Sequence, residues 1–270
     1  MRLVVDANYF QAPDLRYFLA ASRSHIAVLP DIAGMETYKG DPVKNLSNSY
    51  KILKMFPRQV QILRGTRDIV RTGADIKNHT RWMEDKNQTE GFALFCKEIE
   101  RAAEGNAVYV RAVHDIAKDA LEHFEQVRRG VGAIPTAYEG MASAYSKADR
   151  QVLRAGVSSI GGALQDTLVQ QMLDLAAHSL NAHPDVHEVP LTLSKAIRRL
   201  PARYAIANYL LFVRKLLTGA HLVTGSAHLE SDITDMLYIA YATYFDGVLS
   251  KETMVNEVYR DLTSVLAWFD

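Results

Sequence analysis

The chain has 270 residues, 48% of them apolar, 9% aromatic and 23% charged, with 15 Gly and 8 Pro. Those proportions belong to a folded globular protein and exclude a disordered, collagen-like or low-complexity chain. Lys and Arg number 31, as do Asp and Glu, so the formal net charge is zero and a uniformly basic surface is excluded.

The single cysteine, Cys96, rules out an internal disulfide, a CxxC pair and any Cys/His metal finger. A chain this long can bury enough surface to fold without cross-links, and a reducing, cytoplasmic compartment is expected. No basic segment leading into an apolar run opens the sequence, and no stretch approaches the roughly 18 consecutive apolar residues of a membrane span. A membrane is therefore not an expected partner.

In chain order, the first third alternates strand and helix. Leu3-Val4-Val5 is a short apolar run ending at Asp6, as a buried parallel strand would be. Pro13-Asp14 opens a helix with Leu15, Phe18 and Leu19 on one face. His25 to Leu29 is a second strand, stopped by Pro30. Asp31 then caps a helix through Ile32, Met35 and Glu36 to Lys39, ended by Gly40. Val60 to Leu63 is a third strand. From Arg81 to Leu217 the periodicity is helical almost throughout, with breakers at Gly105-Asn106, Gly161-Gly162, Pro184 and Pro190. Towards the end, Ser231 or Asp232 caps a helix reaching about Tyr244. Asp246-Gly247 turns into the strand Val248-Leu249-Ser250, and an amphipathic helix follows. The expected fold is α/β, a short parallel sheet flanked by helices and formed by residues 1–80 and 220–270. A large, mainly helical insertion or cap at 81–219 interrupts it.

Charge is segregated along this order. Residues 42–67 hold no acid and six bases: Lys44, Lys51, Lys54, Arg58, Arg64 and Arg67. Residues 228–270 hold eight acids against Lys251 and Arg260. In an open parallel sheet, ligands bind beyond the carboxyl ends of the strands. Asp6 and Glu252 follow strand ends, while Glu36 and Asp235 lie on helices that could face the same edge, with Asp232 competing for Asp235's role. Converging carboxylates need shifted pKa values or a bound cation, and hard ions such as Mg²⁺ or Mn²⁺ take oxygen ligands of this type. Their chemistry is metal-assisted displacement at phosphorus.

These pieces resemble a PIN-domain nuclease. Leu3-Val4-Val5-Asp6-Ala7-Asn8 is similar to that family's opening strand, and the run from Val28 to Glu36 to its second strand and first glutamate. Ser231 to Ala240 resembles the helix of the third acid, and Val248 to Glu252 the strand end bearing the fourth. The resemblance covers the two ends of the chain and departs twice, with Glu252 for the usual Asp and Ser250 for the usual Thr. It implies an endonuclease in which Asp6, Glu36, Asp235 and Glu252 hold Mg²⁺ or Mn²⁺, leaving 5′-phosphate and 3′-hydroxyl ends. RNA or single strands would be preferred to duplex DNA. Bacterial proteins of this kind often serve as toxins or defence effectors, with a homo-oligomer or a regulatory protein as partner. The two departures favour the alternative, a catalytically degenerate scaffold or binding protein.

Lys39, Lys44, Lys51, Lys54 and Arg58 are the candidates for holding a nucleic-acid backbone, beside a second basic region at Arg198, Arg199, Arg203 and Arg214. Tyr50, Phe56, Tyr204 and Tyr209 could stack unpaired bases, although core packing accounts for them equally. Each acid also has a bland role: Glu36 can pair with Lys39 at i+3, Asp232 can cap its helix, and Asp246 can cap its turn. Cys96 lies on an apolar helical face and suits a core position. His178, His183 and His187 lack an HExxH arrangement and suit a polar loop. The absence of GxxxxGK[ST] argues against a P-loop enzyme.

Overall fold

The computed structural model describes residues 1–71, 79–131, 141, 145–154, 157, 160–186, 192–218 and 227–269. All four expected strands form: β1 is Arg2–Val5, β2 Ile26–Leu29, β3 Val60–Ile62 and β4 Val248–Leu249. They make one parallel sheet in the order β3-β2-β1-β4. Leu3 is paired with Ala27, Val28 with Gln61, and Val5 with Leu249. The strands read as continuous apolar runs because both faces are covered, and Val4, Val5, Ala27 and Val28 have no exposed surface. The protein is an α/β protein with a four-stranded parallel sheet flanked by helices. No described helix is long and apolar enough to cross a membrane.

By contacts the chain divides into two compact units. The sheet unit comprises Met1–Thr66, Asn78–Arg129 and Tyr244–Lys251, and the helical unit Arg67–Lys77, Gly130–Thr243 and Glu252–Asp270. This division departs from sequence boundaries at 80 and 220. The Lys86–Ala103 helix and most of Ala107–Val131 go with the sheet, whereas Ala227–Ala242 and Thr253–Leu266 go with the helical unit. A 3.6-residue apolar stripe shows that a helix is buried but not against which neighbour.

In the sheet unit, Asp246 docks β4. Its carboxylate accepts from the Arg2 N–H at 2.6 Å, and its own N–H donates to the Arg2 carbonyl at 2.9 Å. This tie to β1 adds to the turn role expected of it. The Gln59 amide ties the start of β3 to the carbonyls of Leu19, Ser22 and His25 at 2.9, 2.8 and 2.8 Å. Against the sheet lies the Lys86–Ala103 helix, burying Phe92, Cys96, Ile99 and Ala102. Tyr50 meets the rings of Phe10, Phe92 and Phe95 at 5.7, 5.8 and 5.9 Å between centroids. Burial, reinforced by the Glu100 charge, pushes the Cys96 thiol up to about 11, so Cys96 is a core residue and no nucleophile.

Two expected helix caps are corrected. Pro30 is the N-cap of the Asp31–Thr37 helix; Asp31 lies in its first turn and spends its carboxylate on Ile32 and Thr66. The Ala227–Ala242 helix starts ahead of Ser231, so Ser231 and Asp232 are interior residues. Local capping grammar read too late a start, because the burial of Ile233, Met236, Ile239 and Ala240 sustains a longer helix.

The helical unit is built round the Leu200–Thr218 helix. Ala163–Ala182, starting at the positive-φ Gly162, lays Leu168, Met172, Ala176 and Leu180 on one face. Ala163–Ala182, Ala227–Ala242 and Thr253–Leu266 all pack on Leu200–Thr218. Buried Tyr209 donates to the Gln171 side chain at 2.6 Å and meets the Tyr145 hydroxyl. Arg214 bonds Glu257 at 2.5 Å and Asp261 at 2.6 Å.

Candidate metal centre

The sheet order puts the topological switch between β1 and β4, since the chain leaves β1 for β2 on one side and returns as β4 on the other. Crevices at such points, beyond the strand carboxyl ends, are where open α/β sheets take ligands. Asp6 stands there, buried, and caps the short Ala7–Tyr9 turn by accepting from the Asn8 N–H at 3.2 Å. Ser250, at the end of β4, donates its hydroxyl to the other Asp6 oxygen at 2.6 Å. The Lys251 N–H reaches the Asn8 side chain at 3.3 Å. Ser250 therefore orients Asp6, a role that no spacing rule in the sequence reveals.

Glu36 is in the same unit, on the Asp31–Thr37 helix, where its carboxylate accepts from Lys39 at 3.5 Å. Pairing at i+3 is thus observed, and Lys39 also lies over the Phe124 ring at 4.2 Å.

The helical unit gathers three carboxylates. Asp232 and Asp235 project from one face of the Ala227–Ala242 helix, three positions apart, and Glu252 is the N-cap residue of Thr253–Leu266. One oxygen from each lies within 4.8 Å of the others, with Asp235 buried, Asp232 half-buried and Glu252 exposed. Two oxygens on opposite sides of one divalent ion stand roughly 4–5 Å apart, so this spacing fits a hard cation. Both Asp232 and Asp235 belong to this group. Lys215, from Leu200–Thr218, forms an ion pair with Asp232, partly offsetting the negative charge. Tyr204 donates to the Ile233 carbonyl at 3.2 Å; burial, and then the Asp235 charge, pushes its hydroxyl far above the ordinary range. Asp6 and Glu36 belong to the other unit.

The basic candidates divide. Lys44, Lys51 and Arg58 are exposed. Lys54 is exposed but bonds Glu100 at 2.9 Å. Arg58 immediately precedes β3, at the sheet edge opposite to Asp6. The second basic region is largely structural, which corrects its expected role. Arg199 is buried and donates to the Val70 carbonyl at 2.9 Å, Arg203 donates to the Thr243 carbonyl at 3.0 Å, and Arg214 serves Glu257 and Asp261. Tyr50 and Tyr209 are buried core residues, not exposed platforms for a nucleic-acid strand. His183 caps the end of Ala163–Ala182 and accepts from the Asp185 N–H at 3.2 Å; His187 lies outside the described residues.

Comparison with known proteins returns no protein-family model, no curated protein and no solved structure that matches the chain.

Proposed function

We propose that the chain is a divalent-metal-dependent endonuclease of PIN-like type, acting on RNA or single strands in preference to duplex DNA. The observation that supports it is the set of Asp232, Asp235 and Glu252 oxygens within 4.8 Å of one another. Three carboxylates gathered this closely, one of them paired with Lys215, suit a Mg²⁺ or Mn²⁺ ion. Such an ion supplies Lewis acidity and an activated water for in-line displacement at a phosphodiester. Asp235, buried on a helix, is the rigid ligand, and exposed Glu252 is the adjustable one. The resemblance assigns Asp6 and Glu36 to the same chemistry. Asp6 brings a carboxylate already oriented by Ser250 and Asn8. Lys44 and Lys51 supply exposed positive charge for a polyanion.

One observation favours the degenerate scaffold as the second reading: Lys215 places an ammonium on Asp232, neutralising one acid without a metal. Labelled single-stranded RNA, single-stranded DNA and duplex DNA, incubated with Mg²⁺, Mn²⁺ or EDTA, separate the two. The nuclease cuts only with metal, and loses activity in Asp235→Asn and Glu252→Gln. EDTA-resistant cleavage, or full activity in Asp235→Asn, contradicts the metal mechanism.

A further inference from the structure

The sheet unit contains a cavity of about 510 Å³ beyond the carboxyl ends of β2 and β3. Small-molecule sites typically span roughly 300–1,000 Å³ and are lined mainly by apolar and aromatic side chains with a few convergent polar groups. This cavity has that character, with Met35, Tyr38, Tyr50, Phe92, Phe95 and Ile116 among its walls. Among the described residues, Asp31 is the one charged side chain lining it. Glycines keep parts of the wall bare: a Cβ at Gly91 would meet nothing within 4 Å, and one at Gly65 would lie 3.9 Å from Asp31 Oδ2.

The Asp31 carboxylate is held firmly but by neutral donors. Oδ1 accepts from the Ile32 N–H at 2.8 Å and the Thr66 hydroxyl at 2.7 Å, and Oδ2 accepts from the Thr66 N–H at 2.6 Å. A carboxylate has about four acceptor sites, so one remains on Oδ2. Burial raises the carboxyl above its ordinary range, against the opposing effect of the Thr66 and Ile32 hydrogen bonds and a smaller one from the His123 charge. A negative charge in an apolar cavity gains most from a hydrogen-bonding cation. The aromatic walls add cation–π attraction for the same ligand.

We infer that this cavity binds a small aromatic amine, its ring system against the aromatic walls and its protonated amino group on Asp31 Oδ2. Asp31 would repel an anion, and a neutral apolar ligand would leave the carboxylate without a charged partner. The inference stands apart from the nuclease reading, since none of the acids in the Asp232 cluster lines the cavity.

Calorimetric titration of tryptamine into the full chain tests it, with tryptophol as the uncharged analogue and Asp31→Asn and Gly91→Leu as variants. Tryptamine should saturate one site. Tryptophol on the native chain, and tryptamine on Asp31→Asn, should each bind at least about tenfold more weakly, as loss of a desolvated charge pair implies. Gly91→Leu adds a side chain where space is open, so it should melt no lower than the native chain and lose tryptamine binding, even if Asp31→Asn fails to fold. No saturation by roughly 10 mM tryptamine, a range that would still reveal millimolar affinity, overturns the inference. Equal binding to the native chain and Gly91→Leu overturns it as well.

Discussion

Acids of the sheet unit and one acidic cluster of the helical unit stand in different surroundings. In the sheet unit four acids have neutral or paired work: Asp6 takes Ser250 and Asn8, Asp31 takes Thr66 and Ile32, Glu36 takes Lys39, and Asp246 takes the Arg2 N–H. In the helical unit Asp232, Asp235 and Glu252 are drawn together with Lys215 on Asp232. A carboxylate satisfied by hydrogen bonds is architecture whatever else it does. Carboxylates gathered against one another have a reason to hold a cation. The presence of acids therefore says little about function, and what surrounds each one says much more.

The sharpest way to break this contrast is Asp6→Ala. It leaves the buried Ser250 hydroxyl and the Asn8 N–H without their acceptor, and stability should fall by about 2–4 kcal/mol in urea unfolding. A loss under about 0.5 kcal/mol, the level of an ordinary surface substitution, would show that Asp6 is not structural. Next is Lys215→Met, which removes the ammonium paired with Asp232. About 1–3 kcal/mol should be lost in EDTA, and Mn²⁺ should recover it. Loss without recovery would support the scaffold reading.

A pH series sharpens the comparison further. Burial raises Asp31, so its favourable contribution is full below the ordinary value of 3.8 and is lost as pH rises through its higher folded value. Asp185 in the helical unit is lowered by its hydrogen bond to Arg67, with further effects of the Arg67 and Arg71 charges. Its contribution is present above 3.8 and is lost as pH falls through its lower folded value. Asp31→Asn should thus flatten a falling limb above 3.8 and Asp185→Asn a rising limb below it. The smallest pair concerns glycines. Gly105→Ala should cost about 1 kcal/mol because its φ is +88°, whereas Gly91→Ala, inside a helix with open space, should gain roughly 0.5–1 kcal/mol.

The strands were legible in the sequence because a buried parallel strand is a short apolar run bounded by breakers, and Leu3 to Val5 and Val60 to Ile62 are such runs. Their parallel pairing followed from the alternation with helices. The partners of helices were not legible, since Phe92 and Val258 both announce burial without naming a neighbour. At the acids, Asp232, Asp235 and Glu252 were all readable as candidates, and the structure brings the three together. Lys215 on Asp232, Ser250 on Asp6 and Thr66 on Asp31 are contacts between distant segments. Nothing in local spacing encodes them. The second basic region misled for the same reason: Arg199, Arg203 and Arg214 look cationic in sequence, but folding commits them to Val70, Thr243, Glu257 and Asp261.

The most direct test of the metal centre is thermal unfolding of the chain and of Asp235→Asn, with and without Mn²⁺. An ion that binds only the folded state adds about 2.7 kcal/mol at 100 times its dissociation constant. The native chain should rise by several degrees in Mn²⁺, and Asp235→Asn should show little or none of that rise. An equal response of the two proteins, or no response from either, would contradict a metal held by Asp232, Asp235 and Glu252.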